Sequence, residues 1–415
     1  MITNIFRIFL TRSFKPFVLQ SGQEDIISID EKNLGLYIHI PFCKKICSFC
    51  PYYKVLYDKD LMEKYVASLL KEIKLVAALN ENRAKITSIY FGGGSPALAI
   101  DYLPEIMASI DKTFNISENI GIELHPRDIN KDLIKDLRSI GFDMISIGVQ
   151  SFQEKCLHAL GRDNIDSIKK MQIAVEGGFK VIDIDLIFGI PGQTSKDITR
   201  DFEIAEKNGA TQISTYPFIE FSYSDLKSGP AGQKVKKKML EDLINISQIK
   251  DFKRTSVWTF SKKGYGAYSS ITRDNYIGFG PGAASLTKNI FKINTFSVKE
   301  YIKSLSGGKL PTALTIKFDK RRRALYWLFW SAYNLHLNRT SFRDLFNEKL
   351  DSFFGFEIFL GKKLKLIKEE KEGYEVTFKG AQLYHLVEQV YTHQYIDKTW
   401  KIASGDPWPK KIILY

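Results

Sequence analysis

Three of the chain's four cysteines, Cys43, Cys47 and Cys50, fall within eight residues in a C-x3-C-x2-C run, and Cys156 stands far from them. A disulfide scaffold in a chain of 415 residues does not crowd its cysteines in this way, so the run reads as a metal or cluster site in a reducing compartment. An iron–sulfur cubane takes up to four thiolates. Three on one short loop leave one iron open to a substrate or cofactor. A structural zinc would need a fourth Cys or His, and His39 is the nearest one; spacing alone leaves that reading open. Cys156 reads as a small buried residue rather than a nucleophile.

These side chains need elements to position them. From Leu34 onward, apolar segments at 36–40, 86–91, 120–124, 144–149, 181–188 and 212–218 alternate with helical periodicity at 61–78, 101–114, 132–140, 165–177 and 195–208. Six strands alternating with helices predict a parallel α/β sheet or barrel. Such folds bind ligands at the carboxyl ends of their strands. The cysteine loop, Gly92-Gly93-Gly94, Glu123, Gln150 and Gly189-Ile190-Pro191-Gly192 all fall at such ends, which points to one shared site. Tyr52, Tyr53, Tyr216 and Trp258 are candidates to line an apolar substrate pocket, with core packing as the default role.

Three regions follow. Residues 1–33 are a basic, apolar segment and a polar linker; 34–310 are the α/β core with accessory strands; 311–415 form a C-terminal domain. In the last, helices at 321–333, 341–353 and 380–391 surround short strands at 364–368 and 374–378, a winged-helix-like pattern. The first nineteen residues carry three bases and no acid, and Pro16 would end a helix near Lys15. This helix either lies on an anionic membrane surface or packs on the body of the protein.

The net charge of +13 makes nucleic acid, an anionic membrane and anionic substrates candidate partners, against the plain alternative of lysine-decorated solvated faces. No nucleic-acid module with interleaved aromatics is present, so no nucleic-acid partner is expected. No apolar run approaches the roughly 20 residues that span a bilayer, and no secretory signal is evident. The expected location is cytoplasmic, with peripheral contact at the inner face of the membrane.

Tyr37-Ile38-His39-Ile40-Pro41-Phe42-Cys43 through Cys50 resembles the radical S-adenosylmethionine (SAM) signature, in the branch of oxygen-independent coproporphyrinogen III dehydrogenase. The resemblance runs from about Leu34 to Ser285 and more weakly beyond. It implies a partial (β/α)6 barrel and a [4Fe-4S] cluster on Cys43, Cys47 and Cys50, with SAM on the open iron and a flavodoxin or ferredoxin as electron donor. Phe91-Gly92-Gly93-Gly94-Ser95-Pro96 resembles the family's glycine motif. By the same resemblance, Tyr37, Gly93, Glu123 and Ala284 would contact the cluster-bound SAM. Phe49, Gly94, Ser95, Gln150, Arg162, Asp185 and Ile219 would contact a second SAM.

Two features bear on the reaction. The dehydrogenase has a fourth cysteine two residues after the third, where this chain has Tyr52. The two-SAM, three-cysteine pattern looks most like the class C radical SAM methyltransferases. That likeness implies C-methylation of an sp2 carbon in an apolar aromatic substrate, the naphthoquinone ring of menaquinone, with His125, Tyr52 or a group of the substrate itself as the base. The alternatives are a porphyrin- or haem-acting radical SAM enzyme, a haem chaperone and a zinc-binding module.

Overall fold

Six strands carry the core, and their composition explains their burial. Leu34–Ile40 (β1), Lys85–Gly93 (β2), Ile120–Leu124 (β3), Met144–Gln150 (β4), Val181–Phe188 (β5) and Gln212–Pro217 (β6) are rich in isoleucine, and most positions on both faces are buried. Near-continuous burial on both faces is what a parallel sheet covered by helices requires. The computed structural model describes residues 2–22, 34–79, 84–116, 119–224, 229–266 and 274–415. The polar linker expected at 20–33 thus lies outside the described residues from position 23 on, and residues 225–250, whose sequence reads as a lysine-rich helical stretch, are described only from position 229.

The six strands are parallel in sequence order, each hydrogen-bonded to the next. This is the α/β architecture with a (β/α)6 core that the sequence predicted. Helices return the chain between strands, and local chemistry sets their ends. Lys59–Ala78 starts at Asp58, whose carboxylate accepts from Leu61 N–H. Lys131–Ile140 starts at Asn130 and stops at Gly141, φ 107°. Ser195–Lys207 opens with a reciprocal Thr194/Asp197 capping box. Each such cap satisfies donors the helix cannot.

Beyond β1 the sheet continues through Asn275–Phe279, parallel to β1, and then through antiparallel strands Ala284–Thr287, Ile290–Asn294, Thr312–Lys317, Phe17–Gln20 and Lys411–Leu414. The first and last of the described strands therefore pair with each other, Phe17 opposite Leu414. The winged-helix-like part has three strands rather than two, His336–Asn338, Gly373–Val376 and Ile367–Glu370. Its helices are Lys320–Tyr333, Arg339–Phe346, Leu350–Phe353 and Gly355–Lys363. The helix Phe378–Tyr391 is not the last, because it runs on through a π turn into Asp397–Gly405 before the strand Lys411–Leu414. Strands of three or four residues carry too little periodicity to be legible.

The N-terminal helix spans Ile2–Thr11, shorter than the limit set by Pro16, and the chain turns at Arg12, φ 53°. Arg7, only 5% exposed, donates to the Asn4 side chain and to the carbonyls of Phe14 and Lys15. Arg321 donates to Leu10 O at 2.9 Å, so one face is held to the helix Lys320–Tyr333. Ile5 and Phe9 on the other face remain exposed. Among the described residues, no helix is long and apolar enough to cross a membrane.

One buried carboxylate locks the first core helix to the accessory strands. Glu72 accepts from Gly280 N–H at 2.9 Å, Asn294 Nδ2 at 2.7 Å and Tyr301 hydroxyl at 2.6 Å. Burial raises its pKa to about 7 despite these donors. A carboxyl whose folded-state pKa is raised binds its proton more tightly folded than unfolded. Stability from this group is therefore greatest below the ordinary carboxylate value and falls as pH rises towards 7. Tyr301→Phe should destabilise by about 2 kcal/mol near pH 8, where the lost bond is to a charged acceptor, and by about 1 kcal/mol near pH 5. Urea unfolding at the two pH values checks this.

Candidate active site

The cysteine loop follows β1, and its geometry comes from two neighbours. Phe42–Cys43 pairs with Val55–Leu56, which closes the loop at its base. The glycine run after β2 then passes directly against it. Gly94 N–H donates to Ile40 O at 2.8 Å and Ser95 N–H to Phe42 O at 2.7 Å. A Cβ on Gly94 would stand 2.8 Å from the Phe42 carbonyl carbon, so no larger residue fits. Gly93, φ +118°, passes beside the His39 ring, and a Cβ on Gly92 would meet the Glu123 carboxylate at 3.0 Å.

Side chains pin the loop's outer edge to later strand ends. Lys44 pairs with Asp128 at 3.0 Å, Lys45 with Asp163 at 2.6 Å, and Ser48 hydroxyl donates to Leu160 O at 3.2 Å. Lys54 donates to the carbonyls of Cys50 and Tyr52. Cys43, Cys47 and Cys50 carry free, partly exposed thiols. Burial, with Cys50 and Cys47 nearby, pushes the Cys43 thiol up to about 12. Burial also raises Cys50, and Lys54 opposes it.

His39 is already engaged. Its Nε2 lies 3.0 Å from Tyr53 O and its Nδ1 lies 2.9 Å from Tyr37 hydroxyl. A carbonyl can only accept, so Nε2 carries the proton and Nδ1 accepts from Tyr37. Burial lowers the ring's pKa to about 4. Neither nitrogen is left for a fourth metal bond. Among the described residues, no three Cys, His, Asp or Glu side chains gather around a single-ion centre.

Behind the loop the strand ends present a polar chamber. Glu123 accepts from Gly93 N–H at 3.2 Å, and burial raises its pKa. Asp185 accepts from Ser146 hydroxyl at 2.9 Å; burial, Asp183 and Glu123 push its pKa well above the usual carboxylate range, and Arg162 opposes them. Arg162 donates through Nη1 to Gly148 O and lies over the Phe49 ring at 5.8 Å. Its buried Nε has no hydrogen-bond partner among the described residues. Tyr52 is 53% exposed yet feels Glu123, Cys50 and Asp185, as a side chain standing inside an open chamber would. Burial, first, and these charges hold its phenol protonated.

The structure brings most of the sequence-predicted residues to this mouth. Tyr37, Gly93 and Glu123 meet around His39; Ser95 donates to Asp128 at 2.6 Å. Gln150 ends β4 at φ 70° beside a bulge in its pairing with β5. Ile219 is half-buried and follows Phe218, whose N–H donates to Phe188 O at the end of β5. Ala284 sits one strand further out, half-buried and paired with Ile293, and its loop reaches the site only through Gly280 beside His39. Cys156 is buried in a small cluster against Phe49.

His125 does not fit the base role expected of it. Its Nδ1 accepts from Arg127 N–H at 3.1 Å, which puts the ring proton on Nε2. Burial, with Arg162 next, lowers its pKa to about 3, so the ring is a neutral donor. Tyr52, held protonated, is equally a donor and not a base. Lys54, Ser146 and Asp183 were missed in the sequence. Asp183 and Asp185 alternate along β5 in Asp-Ile-Asp, an apolar strand interrupted twice by acids, and that interruption was the available signal.

The residues present fit a three-thiolate cluster with SAM. Three free thiols share one loop, the glycines form a cradle that a Cβ would fill, and a buried guanidinium nitrogen stands without a partner.

Residues 37–205 match the Radical SAM superfamily. The chain is 28% identical over 292 residues to the heme chaperone HemW of Bacillus subtilis, covering 66% of this chain and 76% of that protein. It is 24% identical over 431 aligned positions to the oxygen-independent coproporphyrinogen III oxidase of Synechocystis, covering 92% of this chain and 89% of that protein. In fold it is similar to the coproporphyrinogen III oxidase of Escherichia coli, with a TM-score of 0.74 at 21% identity over 92% of this chain and 98% of that one.

These relatives overturn one expectation. The chain is similar to proteins named as heme chaperones and coproporphyrinogen III oxidases, not as methyltransferases, so C-methylation of the menaquinone ring is not sustained. The misleading signal was Tyr52, because absence of a fourth cysteine does not by itself select methyl transfer.

Gly94→Ala should lower iron content per chain several-fold, because its methyl would displace the Phe42 backbone under the cysteine loop. Gly232→Ala, where nothing lies within 4 Å, should leave it unchanged. Iron and sulfide assays on anaerobically purified proteins check both.

Proposed function

Residues 37–205 of this chain are a radical SAM domain of the coproporphyrinogen-oxidase-like branch, and from that premise we propose that the protein is a radical SAM enzyme acting on a porphyrin or haem. One observation carries the catalytic part of this reading: the SAM-facing chamber has its full set of charged groups. Burial raises the pKa of both Glu123 and Asp185, and Glu123 adds to the rise at Asp185, so both acids favour a cation; Arg162 keeps a buried nitrogen without a partner among the described residues, free for an anion. SAM carries both kinds of charge, an ammonium and a sulfonium against a carboxylate.

The cluster, held by Cys43, Cys47 and Cys50, supplies one-electron cleavage of SAM to a carbon-centred radical. This chain's residues do the rest. Gly93 and Gly94 let the backbone approach the methionine end of SAM, with Tyr37 and Glu123 beside it. Arg162 meets a second SAM's carboxylate with a planar fork; Phe49, Ser95, Gln150, Asp185 and Ile219 complete that second place. Tyr52 and His125 present N–H and O–H donors to the substrate rather than removing its protons. Electrons come from a small donor protein of flavodoxin or ferredoxin type.

A haem chaperone is the second reading, favoured by Tyr52 in place of the fourth cysteine of the dehydrogenase. Anaerobic protein incubated with SAM, reductant and either coproporphyrinogen III or haem separates the two. Deoxyadenosine formed together with a mass change in the tetrapyrrole supports catalysis. Tight haem capture with neither product supports the chaperone.

SAM affinity should fall on acidification, with a midpoint above the ordinary carboxylate range, because Glu123 and Asp185 both have raised pKa values and bind cations only when ionised. Glu123→Gln keeps an acceptor for Gly93 N–H but loses the charge; it should weaken SAM binding about tenfold and flatten that pH dependence. Equilibrium dialysis with labelled SAM checks both.

A further inference from the structure

A second cavity lies away from the cysteine loop. It has a volume of about 530 Å³ and is enclosed by the N-terminal helix Ile2–Thr11, the helices Lys320–Tyr333 and Phe378–Tyr391, and the outer strands Phe17–Gln20, Ile290–Asn294 and Thr312–Lys317. That size falls within the range of small-molecule sites, which are mostly apolar with a few placed polar groups. Its walls mix aliphatic side chains, the more numerous, with aromatic rings on several sides, among them Phe17, Phe291, Phe318, Phe329, Tyr391 and Tyr395. Flat rings on several sides suit a flat aromatic guest better than a flexible chain.

Three buried polar atoms of residues in this apolar wall have no hydrogen-bond partner among the described residues: the Tyr384 hydroxyl, Arg322 Nε and Glu357 Oε2, the last on a carboxylate whose other oxygen accepts from Arg321. Tyr384, 8% exposed, lines the cavity with a buried hydroxyl that has no hydrogen-bond partner among the described residues. Leaving such a hydroxyl unpaired is unfavourable, and a bound acceptor would relieve it. Arg322 also lines the cavity with its Nε unpartnered among the described residues, and its other contacts are long, 3.5 Å to Asp319 and 3.4 Å to Lys15 O. A guanidinium held so loosely can turn to a carboxylate.

The cavity also touches the chamber by the cysteines. Trp400 lines it, and the Trp400 ring lies 5.7 Å from the Tyr52 ring and stacks on Phe221. At the outer end Leu383 and Val387 are partly exposed on Phe378–Tyr391, which makes them a rim. No histidine, cysteine or methionine is among the described residues lining it, and burial holds its tyrosines Tyr326, Tyr384, Tyr391 and Tyr395 in the protonated form, so an iron centre would find no ready ligand among them.

We propose that this cavity is a holding site for a metal-free, carboxylate-bearing tetrapyrrole, with Arg322 and Tyr384 taking its acidic groups and Trp400 as the wall shared with the chamber. The cavity stands on its own geometry; the choice of ligand rests on the tetrapyrrole reading above. The test is anaerobic titration of the full-length, cluster-loaded protein with protoporphyrin IX, read by tryptophan quenching. Saturable binding is expected. Val387→Trp, which fills the rim at an exposed position, should weaken it about tenfold or more. Arg322→Gln should weaken protoporphyrin IX binding about fivefold and leave its dimethyl ester unaffected. Thermal unfolding of each variant shows whether it has folded; a misfolded rim variant is replaced by Leu383→Trp.

Absence of saturable binding, binding indifferent to both substitutions, or full displacement by equimolar palmitate would overturn the proposal. Binding that the rim variants block, in a protein that turns over no tetrapyrrole, would keep this site and reject the enzymatic reading. Tetrapyrrole turnover without rim-sensitive binding would do the reverse.

Discussion

Two backbone hydrogen bonds hold the site in register: Gly94 N–H to Ile40 O and Ser95 N–H to Phe42 O. They clamp the glycine run of one strand end under the cysteine loop of the next. The first demands glycine, because a Cβ on Gly94 would run into the Phe42 backbone, so the loop's path is set by sterics as much as by bonding. Everything nearby is arranged around that clamp. His39 fixes Tyr53 and Tyr37 with one nitrogen each, and Lys44, Lys45 and Ser48 tie the far edge to the ends of β3 and β4. A loop held on every side keeps three free thiols together on one short stretch of chain.

The charges tell a compatible story. The chamber holds two carboxylates, Glu123 and Asp185; burial raises both, Glu123 raises Asp185 further, and Ser146 and then Arg162 oppose that rise, with part of the Arg162 guanidinium unused. Such an arrangement is costly on its own. It becomes favourable when a ligand brings cations to the acids and an anion to the arginine. Burying unpaired charge at strand ends is a price the fold can bear because the parallel sheet beneath contributes many buried isoleucine, leucine, valine and phenylalanine side chains to one core.

The α/β core was legible because its strands are long, apolar and regularly spaced, and because cysteine spacing, the glycine run and Glu123 mark strand ends. The outer parts were not. The strands His336–Asn338 and Lys411–Leu414 are too short to show a period, and the pairing of Phe17–Gln20 with Lys411–Leu414 joins segments nearly the whole chain apart. Protonation was also hidden. His125 and Tyr52 are residue types that serve as bases elsewhere, but here a backbone donor on His125 Nδ1, and desolvation of the Tyr52 phenol beside Glu123, Cys50 and Asp185, leave both as donors. The reaction was misjudged for a related reason: Tyr52 records which cysteine is missing, not which bond is made.

The central claim is that three thiolates leave one iron open and that SAM takes it. Electron paramagnetic resonance of the reduced, anaerobically reconstituted protein, recorded with and without SAM, tests it most directly. The account predicts a cubane signal whose g values shift when SAM is added, and no such signal when Cys43, Cys47 and Cys50 are replaced together by serine. A cubane signal indifferent to saturating SAM, or a protein carrying zinc without labile sulfide, would contradict it.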